Sequence, residues 1–212
     1  MHHQFNAHYH YAWAAYWWLE EIDLFREHLG FCVDIAKEIE NSVQWGRVVT
    51  LLCLYSNHCR RLESDVCQND YDSLAYRARN ELLGLAEQDE RPSNSLMSKA
   101  CIELLNLQII ESVEHASEIF SSLLAIVTEG ELLVGFPFNE LYEVTTELDN
   151  VFGEVEGYEL LLDYFTEQTS LRYGEKNGAL LSLKRGARRL DSNEPYQAIK
   201  LIGKSLLSLI HI

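Results

Sequence analysis

Apolar residues recur at helical spacing along almost the whole chain. Between residues 100 and 125, for example, Ile102, Leu105, Ile109 and Val113 lie three or four positions apart, which places them on one face of an α-helix. The same spacing returns over 138–152 and 155–165, whereas the strict alternation typical of a strand is scarce. The pattern therefore predicts an all-α protein.

Turn-forming residues interrupt this pattern at regular intervals. Asn41-Ser42 is suited to cap a helix that begins near Val43, Gln68–Asp70 is typical of a turn, and Pro137 suits the start of another helix. These breaks divide a single helical domain, residues 1–212, into helix pairs of the length found in helical repeats. The predicted pairs span 10–42, 43–89, 94–130, 137–173 and 175–212.

The last predicted pair resembles a tetratricopeptide repeat. Gly186 is followed twelve residues later by Ala198, and small residues at these two positions let antiparallel helices approach closely. Tyr196, Ile202 and Ser205 complete the pattern.

The first pair shares part of the same pattern, with Trp13 opening one helix and Ala36 in the next. The resemblance implies a tetratricopeptide-like α-solenoid of stacked antiparallel helix pairs, used for protein binding. An irregular helical bundle is the alternative fold.

Composition favours a folded protein in a reducing compartment. Hydrophobic residues make up 47% of the chain and only three residues are proline, so we expect a sizeable core. No apolar run approaches the roughly 18 residues that span a bilayer, and we expect neither a signal peptide nor membrane binding. The five cysteines form no CxxC pair, so we expect reduced thiols and a cytoplasmic location.

The distribution of charge changes this picture, because acidic and basic residues are concentrated in different parts of the chain. The stretch 100–171 contains fifteen acidic residues and no lysine or arginine, whereas the last 41 residues carry a charge of +5. The formal net charge is −16. A field of one sign attracts basic surfaces and repels nucleic acid.

On helices, the acidic residues of this stretch form three stripes at spacings of three and four. The stripes consist of Glu111, Glu114 and Glu118; Glu140, Glu143 and Glu147; and Glu156, Glu159, Asp163 and Glu167. Neighbouring like charges destabilise a helix by about 0.2–0.5 kcal/mol per pair. They form either a solvated outer face or a docking surface for a basic protein, and we predict the docking surface.

A basic cluster on the last helix pair offers a second contact surface. It contains Lys184, Arg185, Arg188 and Arg189. If the chain folds back on itself, these groups instead pair with its own acidic stripes. Direct nucleic-acid binding is disfavoured, because the net field opposes it.

Aromatic and histidine side chains crowd the N-terminus. Trp13 and Trp17 share a helix face while Trp18 points elsewhere, so part of this cluster is a candidate interface. The first ten residues also contain His2, His3, His8 and His10. We expect a frayed tail there, with copper or nickel binding through the free amine and His3 as the alternative.

Motifs for catalysis are absent from the sequence. It contains no phosphate-binding GxxxxGK[ST] loop, no GxSxG and no HExxH. Glu111, Glu114, His115 and Glu118 resemble half of a carboxylate–histidine di-metal site, but the matching half is missing. Cys59 beside basic residues is a weak nucleophile candidate. We therefore expect no enzyme, no cofactor and no metal site.

Together these features predict a protein-binding helical scaffold or regulator. Its acidic surface would bind or sequester a basic protein, such as a nucleic-acid-binding protein. The alternative is a structural subunit or fragment of a larger assembly, since the apolar C-terminal helix needs cover from self-association or a partner. A metal-dependent carboxylate–histidine enzyme is the remaining class.

Overall fold

Helices account for most of the chain. The structure, a computed structural model, describes residues 1–88, 90–110, 112–146, 148, 152, 155–191 and 195–210. These described residues contain no strand. The predicted all-α fold is confirmed.

Five helices form the first half of the chain. They are α1 (His2–Ala14), α2 (Ile22–Ile39), α3 (Ser42–Leu62), α4 (Asp65–Ala86) and α5 (Pro92–Asn106). A π-helical turn, Ala15–Leu19, follows α1, and a 3-10 turn, Leu107–Ile109, follows α5.

The second half contributes five more described helices. They are α6 (Val113–Glu131), α7 (Phe138–Thr146), α8 (Glu156–Tyr173), α9 (Glu175–Asp191) and α10 (Pro195–Ile210). Most of α1 lies before the first predicted stretch, 10–42. That the five predicted stretches are repeats of one domain stays a prediction.

The chain divides into two compact units. The first consists of Met1–His115 and Ala125–Val144, and the second of Ala116–Leu124 and Thr145–Ile212. Helix α6 contributes residues to both units. Each unit has its own apolar core, and burying one large apolar side chain contributes about 1.5–3 kcal/mol. The first core includes Phe25, Trp45, Leu82 and Met97, and the second includes Phe120, Tyr158, Leu162 and Phe165.

Polar side chains cap the N-termini of α3 and α4. The Asn41 side chain accepts a hydrogen bond from the backbone N–H of Val43 at 2.8 Å, as its position predicts. The Ser64 hydroxyl accepts from the N–H of Cys67 at 3.4 Å and opens α4. The turn predicted at Gln68–Asp70 is therefore wrong, because those residues lie inside α4.

Glutamates in left-handed conformation end three of these elements. Glu20 (φ 55°) follows the π-helical turn, Glu40 (φ 52°) follows α2 and Glu63 (φ 49°) follows α3. This conformation is usually taken by glycine.

The N-terminal histidines belong to a helix. Helix α1 begins at His2, so the expected frayed tail is wrong. Phe5 and Ala12 are buried, and α1 packs against α2, which gives the segment a hydrophobic reason to be helical.

Two of the five cysteines form a disulfide. Cys59, at the end of α3, is joined to Cys67, in the first turn of α4, so the expectation of reduced thiols is wrong for this pair. The structure also removes Cys59 as a free nucleophile. Cys32, Cys53 and Cys101 are free and buried.

Helices α9 and α10 approach each other closely at Gly186. A Cβ atom on Gly186 would lie 2.6 Å from Cγ1 of Ile202 and 3.3 Å from the carbonyl oxygen of Ala198. Ala198 is fully buried. Small residues at these two positions therefore do permit the approach that the sequence pattern implies.

No helix in the described part of the chain combines the length and apolar character needed to cross a bilayer.

Candidate functional site: acidic helix faces and a basic cluster

The acidic stripe of α6 is exposed where the structure describes it. Glu114 and Glu118 lie one turn apart with their side chains in solvent, and Glu111 lies outside the described residues. Hydrogen bonds from its own backbone N–H and from the Ser112 hydroxyl lower the pKa of Glu114. Both are contacts at a helix N-terminus, so Glu114 stays charged at neutral pH.

Little of the second stripe is described. Glu140 is half-buried in the first turn of α7. Glu143 lies in α7, but its side chain is outside the described part, and Glu147 is outside it altogether. The surface role of this stripe stays a prediction.

The third stripe, on α8, is partly turned towards the protein's own basic residues. Glu159 is 35% exposed and accepts hydrogen bonds from Arg189 through Oε1 and from Arg185 through Oε2, the latter at 2.9 Å. The carboxylate of Asp163 is 70% exposed and accepts from Arg185 at 2.9 Å. Glu167 is exposed, and the side chain of Glu156 lies outside the described residues.

The basic cluster likewise contains both residues that pair with the protein's own carboxylates and a residue that is exposed. Arg185 and Arg189 are almost fully buried, so their guanidiniums serve to hold α9 against α8. Arg185 also donates to the hydroxyl of Thr166 at 3.3 Å. Lys184 is exposed, and the side chain of Arg188 is not described. The internal pairing left open by the sequence is thus observed for Glu159 and Asp163.

Three other carboxylates of the acidic stripes have no such ion pair in the described part of the chain. Among the described residues, no cation forms an ion pair with Glu114, Glu118 or Glu167. The side chains of all three lie in solvent. These three are the residues of the predicted stripes most able to attract a basic surface.

His115 is exposed on α6 beside Glu114. Within the described part of the chain, no group of three or more histidine, cysteine, aspartate or glutamate side chains is placed to hold a metal ion. Burial raises the pKa of Cys32 and Cys53 to about 12 and raises that of Cys101 as well. These thiols are therefore uncharged at neutral pH and poor nucleophiles.

The three tryptophans of the candidate aromatic interface lie at the end of α1. Trp13 is half-buried and stacks on Trp17, with ring centroids 6.1 Å apart. Trp17 is 53% exposed and Trp18 is 83% exposed. The stacking of Trp13 on Trp17 agrees with the predicted shared face, whereas the use of the three tryptophans as an interface stays a prediction.

One contact escapes sequence reasoning entirely. Nδ1 of His8, on α1, lies 2.8 Å from Nδ1 of His28, on α2. The rings of Tyr11 and Phe31 lie against His28. Both histidines lie on the faces where α1 and α2 meet. Their positions indicate a contact only when the pairing of the two helices is already known.

No protein-family profile, curated protein or solved structure matches this chain. The resemblance to a tetratricopeptide repeat therefore rests on the residues of the first and last helix pairs alone.

Proposed function

We propose that this protein is a helical scaffold or regulator that binds a basic protein and performs no catalysis. Its partner would be a protein with a basic surface, such as a nucleic-acid-binding protein, which it holds or sequesters. The helix pairs would serve as tetratricopeptide-like repeats, which the close approach at Gly186 supports.

The observation that carries this proposal is the uncompensated charge on α6 and α8. The stretch 100–171 supplies no lysine or arginine, and the ion pairs described for the buried arginines of α9 are those with Glu159 and Asp163. Exposed carboxylates without internal partners raise the rate of encounter with a basic protein.

A charge-neutralising triple variant tests the proposal. We expect Glu114→Gln, Glu118→Gln and Glu167→Gln together to slow association with a captured basic partner about tenfold at low salt. The matched control is Glu38→Gln, Glu87→Gln and Glu90→Gln, because it removes the same charge from exposed positions outside the acidic stretch. Association rates measured by surface plasmon resonance at low and high salt provide the comparison.

Two outcomes would contradict the proposal. If both triple variants slow association equally, net charge alone governs the encounter. If neither slows it, the acidic faces of α6 and α8 form no contact.

A structural role in a larger assembly is the second candidate, and α10 supports it. Tyr196 and Ile199 are strongly exposed on this helix and Leu206 is about half exposed, although all three are apolar or aromatic. A solution mass above that of one 24.5 kDa chain, measured by sedimentation equilibrium, would favour this candidate. A metal-dependent enzyme would instead show a stoichiometric metal that is lost on His115→Ala.

The location we propose is the cytoplasm. Three of the five cysteines are free, buried thiols, which is typical of a reducing compartment. The Cys59–Cys67 disulfide points the other way, so this proposal rests on the three free thiols.

A further inference from the structure

The turn between α1 and α2 presents a continuous group of large apolar side chains. We call it the aromatic tip, and it consists of Trp13, Tyr16, Trp17, Trp18 and Leu19. Three consecutive members, Trp17 to Leu19, are each more than half exposed. Scattered single apolar residues on a surface need no explanation, but a contiguous cluster marks an interaction site.

The backbone explains why this cluster faces outwards. Residues Ala15–Leu19 form a π-helical turn, and Glu20 then adopts the left-handed conformation that reverses the chain into α2. The π-helical turn lies at the C-terminal end of α1, where such turns are one of the ways in which a helix ends. A single packed face cannot hide three successive side chains.

The tip is preorganised for binding. The ring of Trp17 stacks on Trp13 at 6.1 Å and meets the edge of Tyr16 at 5.0 Å. Tyr16 in turn packs at 5.2 Å against Phe25, which is fully buried in the core of the first unit. The exposed ring of Trp17, held in this way, loses little conformational freedom when it is covered.

Charge around the tip indicates what covers it. Glu20 and Glu21 follow Leu19 directly and are exposed, and the first 25 residues contain no lysine or arginine. Arg26 is engaged by Asp23 at 3.6 Å and by Asp70 at 3.9 Å. One cation does act on the tip, since the positive charge of Arg61 lowers the pKa of Tyr16 against the larger effect of burial, which raises it.

From this combination, we propose that the aromatic tip binds a basic, apolar segment of another protein. Arginine or lysine side chains would stack on the exposed indole rings of Trp17 and Trp18. The same cations would pair with Glu20 and Glu21, while apolar side chains cover Leu19. Exposed tryptophans are among the commonest anchors of protein interfaces.

Three other occupants fit the charge less well. A second copy of this chain would bring the same carboxylates, Glu20 and Glu21, against each other across a two-fold axis. Nucleic acids and anionic membranes would meet the same negative border. The tip shares no residue with the carboxylates of α6 and α8, so this inference and the proposed function can fail independently.

Peptide titrations of the full-length protein test the inference. The probes are three synthetic peptides of equal length that alternate arginine with leucine, glutamate with leucine, and arginine with serine. Tryptophan emission reports binding, because Trp17 and Trp18 are the exposed indoles. We expect the arginine–leucine peptide to bind most tightly, since only it supplies both cations and apolar groups.

Matched substitutions locate the binding. Trp18→Ala should weaken the arginine–leucine peptide about tenfold or more. Tyr76→Ala, which removes a 68% exposed ring from α4, should change its affinity less than about twofold. Glu20→Gln with Glu21→Gln keeps every ring and should weaken binding several-fold. The triple variant at Glu114, Glu118 and Glu167 should bind the peptide at the tip as the wild type does.

Four results would overturn the inference. The first is a glutamate–leucine peptide that binds as tightly as the arginine–leucine peptide, and the second is an equal loss of affinity in Trp18→Ala and Tyr76→Ala. The third is tighter binding to phosphatidylserine vesicles than to the arginine–leucine peptide. The last is a wild-type dimer that Trp18→Ala dissociates. The last would identify a second copy of the chain as the occupant. If Trp18→Ala changes the far-ultraviolet circular dichroism spectrum, the peptide affinity of the variant with Glu20→Gln and Glu21→Gln serves as the test in its place.

Discussion

At the scale of single residues, the contact between His8 and His28 has the clearest chemical consequence. Their Nδ1 atoms are 2.8 Å apart and their ring centroids 5.0 Å apart, which is a head-on arrangement. One nitrogen must donate and the other accept, so both Nδ1 atoms cannot be protonated together. Burial, then the proximity of His8, lowers the pKa of His28, and Glu27 opposes this shift.

This pair predicts that stability falls in acid. Because the pKa of His28 is lower in the folded state than its usual value of 6.5, the unfolded chain binds the proton first. The contribution of His28 is therefore complete above about pH 7 and is lost as the pH falls through 6.5 towards the lowered folded value. Urea midpoints measured between about pH 7.5 and pH 5 should decrease.

The slope of that decrease identifies its source. His28→Asn should flatten it, whereas His10→Asn, at an exposed position on α1, should leave it unchanged. Burial and Arg61 also lower the pKa of His58, so part of the slope should survive in the His28 variant. An unchanged slope in His28→Asn would show that the pair contributes nothing to the pH dependence.

The missed disulfide shows why residue contacts are hard to predict from this sequence. The turn was predicted at Gln68–Asp70, which places Cys59 and Cys67 on one helix, where they could not meet. In the structure, Glu63 and Ser64 form the turn, so the two cysteines lie on adjacent helices. Because the predicted turn is displaced by a few residues, the sequence analysis does not predict the Cys59–Cys67 disulfide.

At the scale of elements, the contact between α8 and α9 depends on Glu159. Its two carboxylate oxygens each accept from a different buried guanidinium, those of Arg185 and Arg189. Removing one partner of a buried ion pair is costly, because the remaining charge has already lost its water.

We therefore expect Glu159→Gln to lower the free energy of unfolding by about 2 kcal/mol. This is below the usual cost for a fully buried pair because Glu159 is 35% exposed. Glu167→Gln, at an exposed position two turns further along α8, should change it by less than about 0.5 kcal/mol. Urea unfolding of both variants measures the difference. Equal values would mean that the ion pairs do not hold the two helices together.

Helices were predictable here because their signal is local. Apolar spacing placed them, and Gly186 and Ala198 indicated the close contact of α9 with α10. Spacing also identified the acidic stripe on α8, but it could not show that Glu159 turns towards α9 while Glu167 faces solvent. That difference depends on how α8 packs, which spacing within one helix does not contain.

At the scale of the whole molecule, the net charge of −16 acts against folding. Like charges repel in the compact state more than in the expanded one, and salt screens that repulsion. The guanidiniums of Arg185 and Arg189 are buried and their partner Glu159 is partly buried, so salt screens these ion pairs less than the exposed charges. Exposed pairs such as Lys37–Glu81 contribute little in any case.

Screening of the repulsion should therefore outweigh screening of the ion pairs, and added salt should stabilise the folded protein. Raising sodium chloride from about 0.01 M to about 0.15 M shortens the screening length from about 30 Å to about 8 Å. We expect the melting temperature to rise by about 3 °C, which corresponds to roughly 1 kcal/mol for a chain of this size. Differential scanning calorimetry of the wild type and of the triple variant at Glu114, Glu118 and Glu167 tests this. The rise should be smaller in the variant, and a fall in the wild type would show that screened ion pairs dominate.

The left-handed glutamates are positions at which a substitution could stabilise the first unit. At Glu40 and Glu63 the backbone adopts a conformation that costs about 1–2 kcal/mol relative to glycine, and an acidic residue stands at the negative end of a helix dipole. Glycine at these two positions would relieve both penalties and leave α6, α8 and the aromatic tip untouched. A stabilised background of this kind would tolerate the destabilising substitutions that map a binding surface. Glu20 has the same strain but borders the aromatic tip, so a designer would leave it in place.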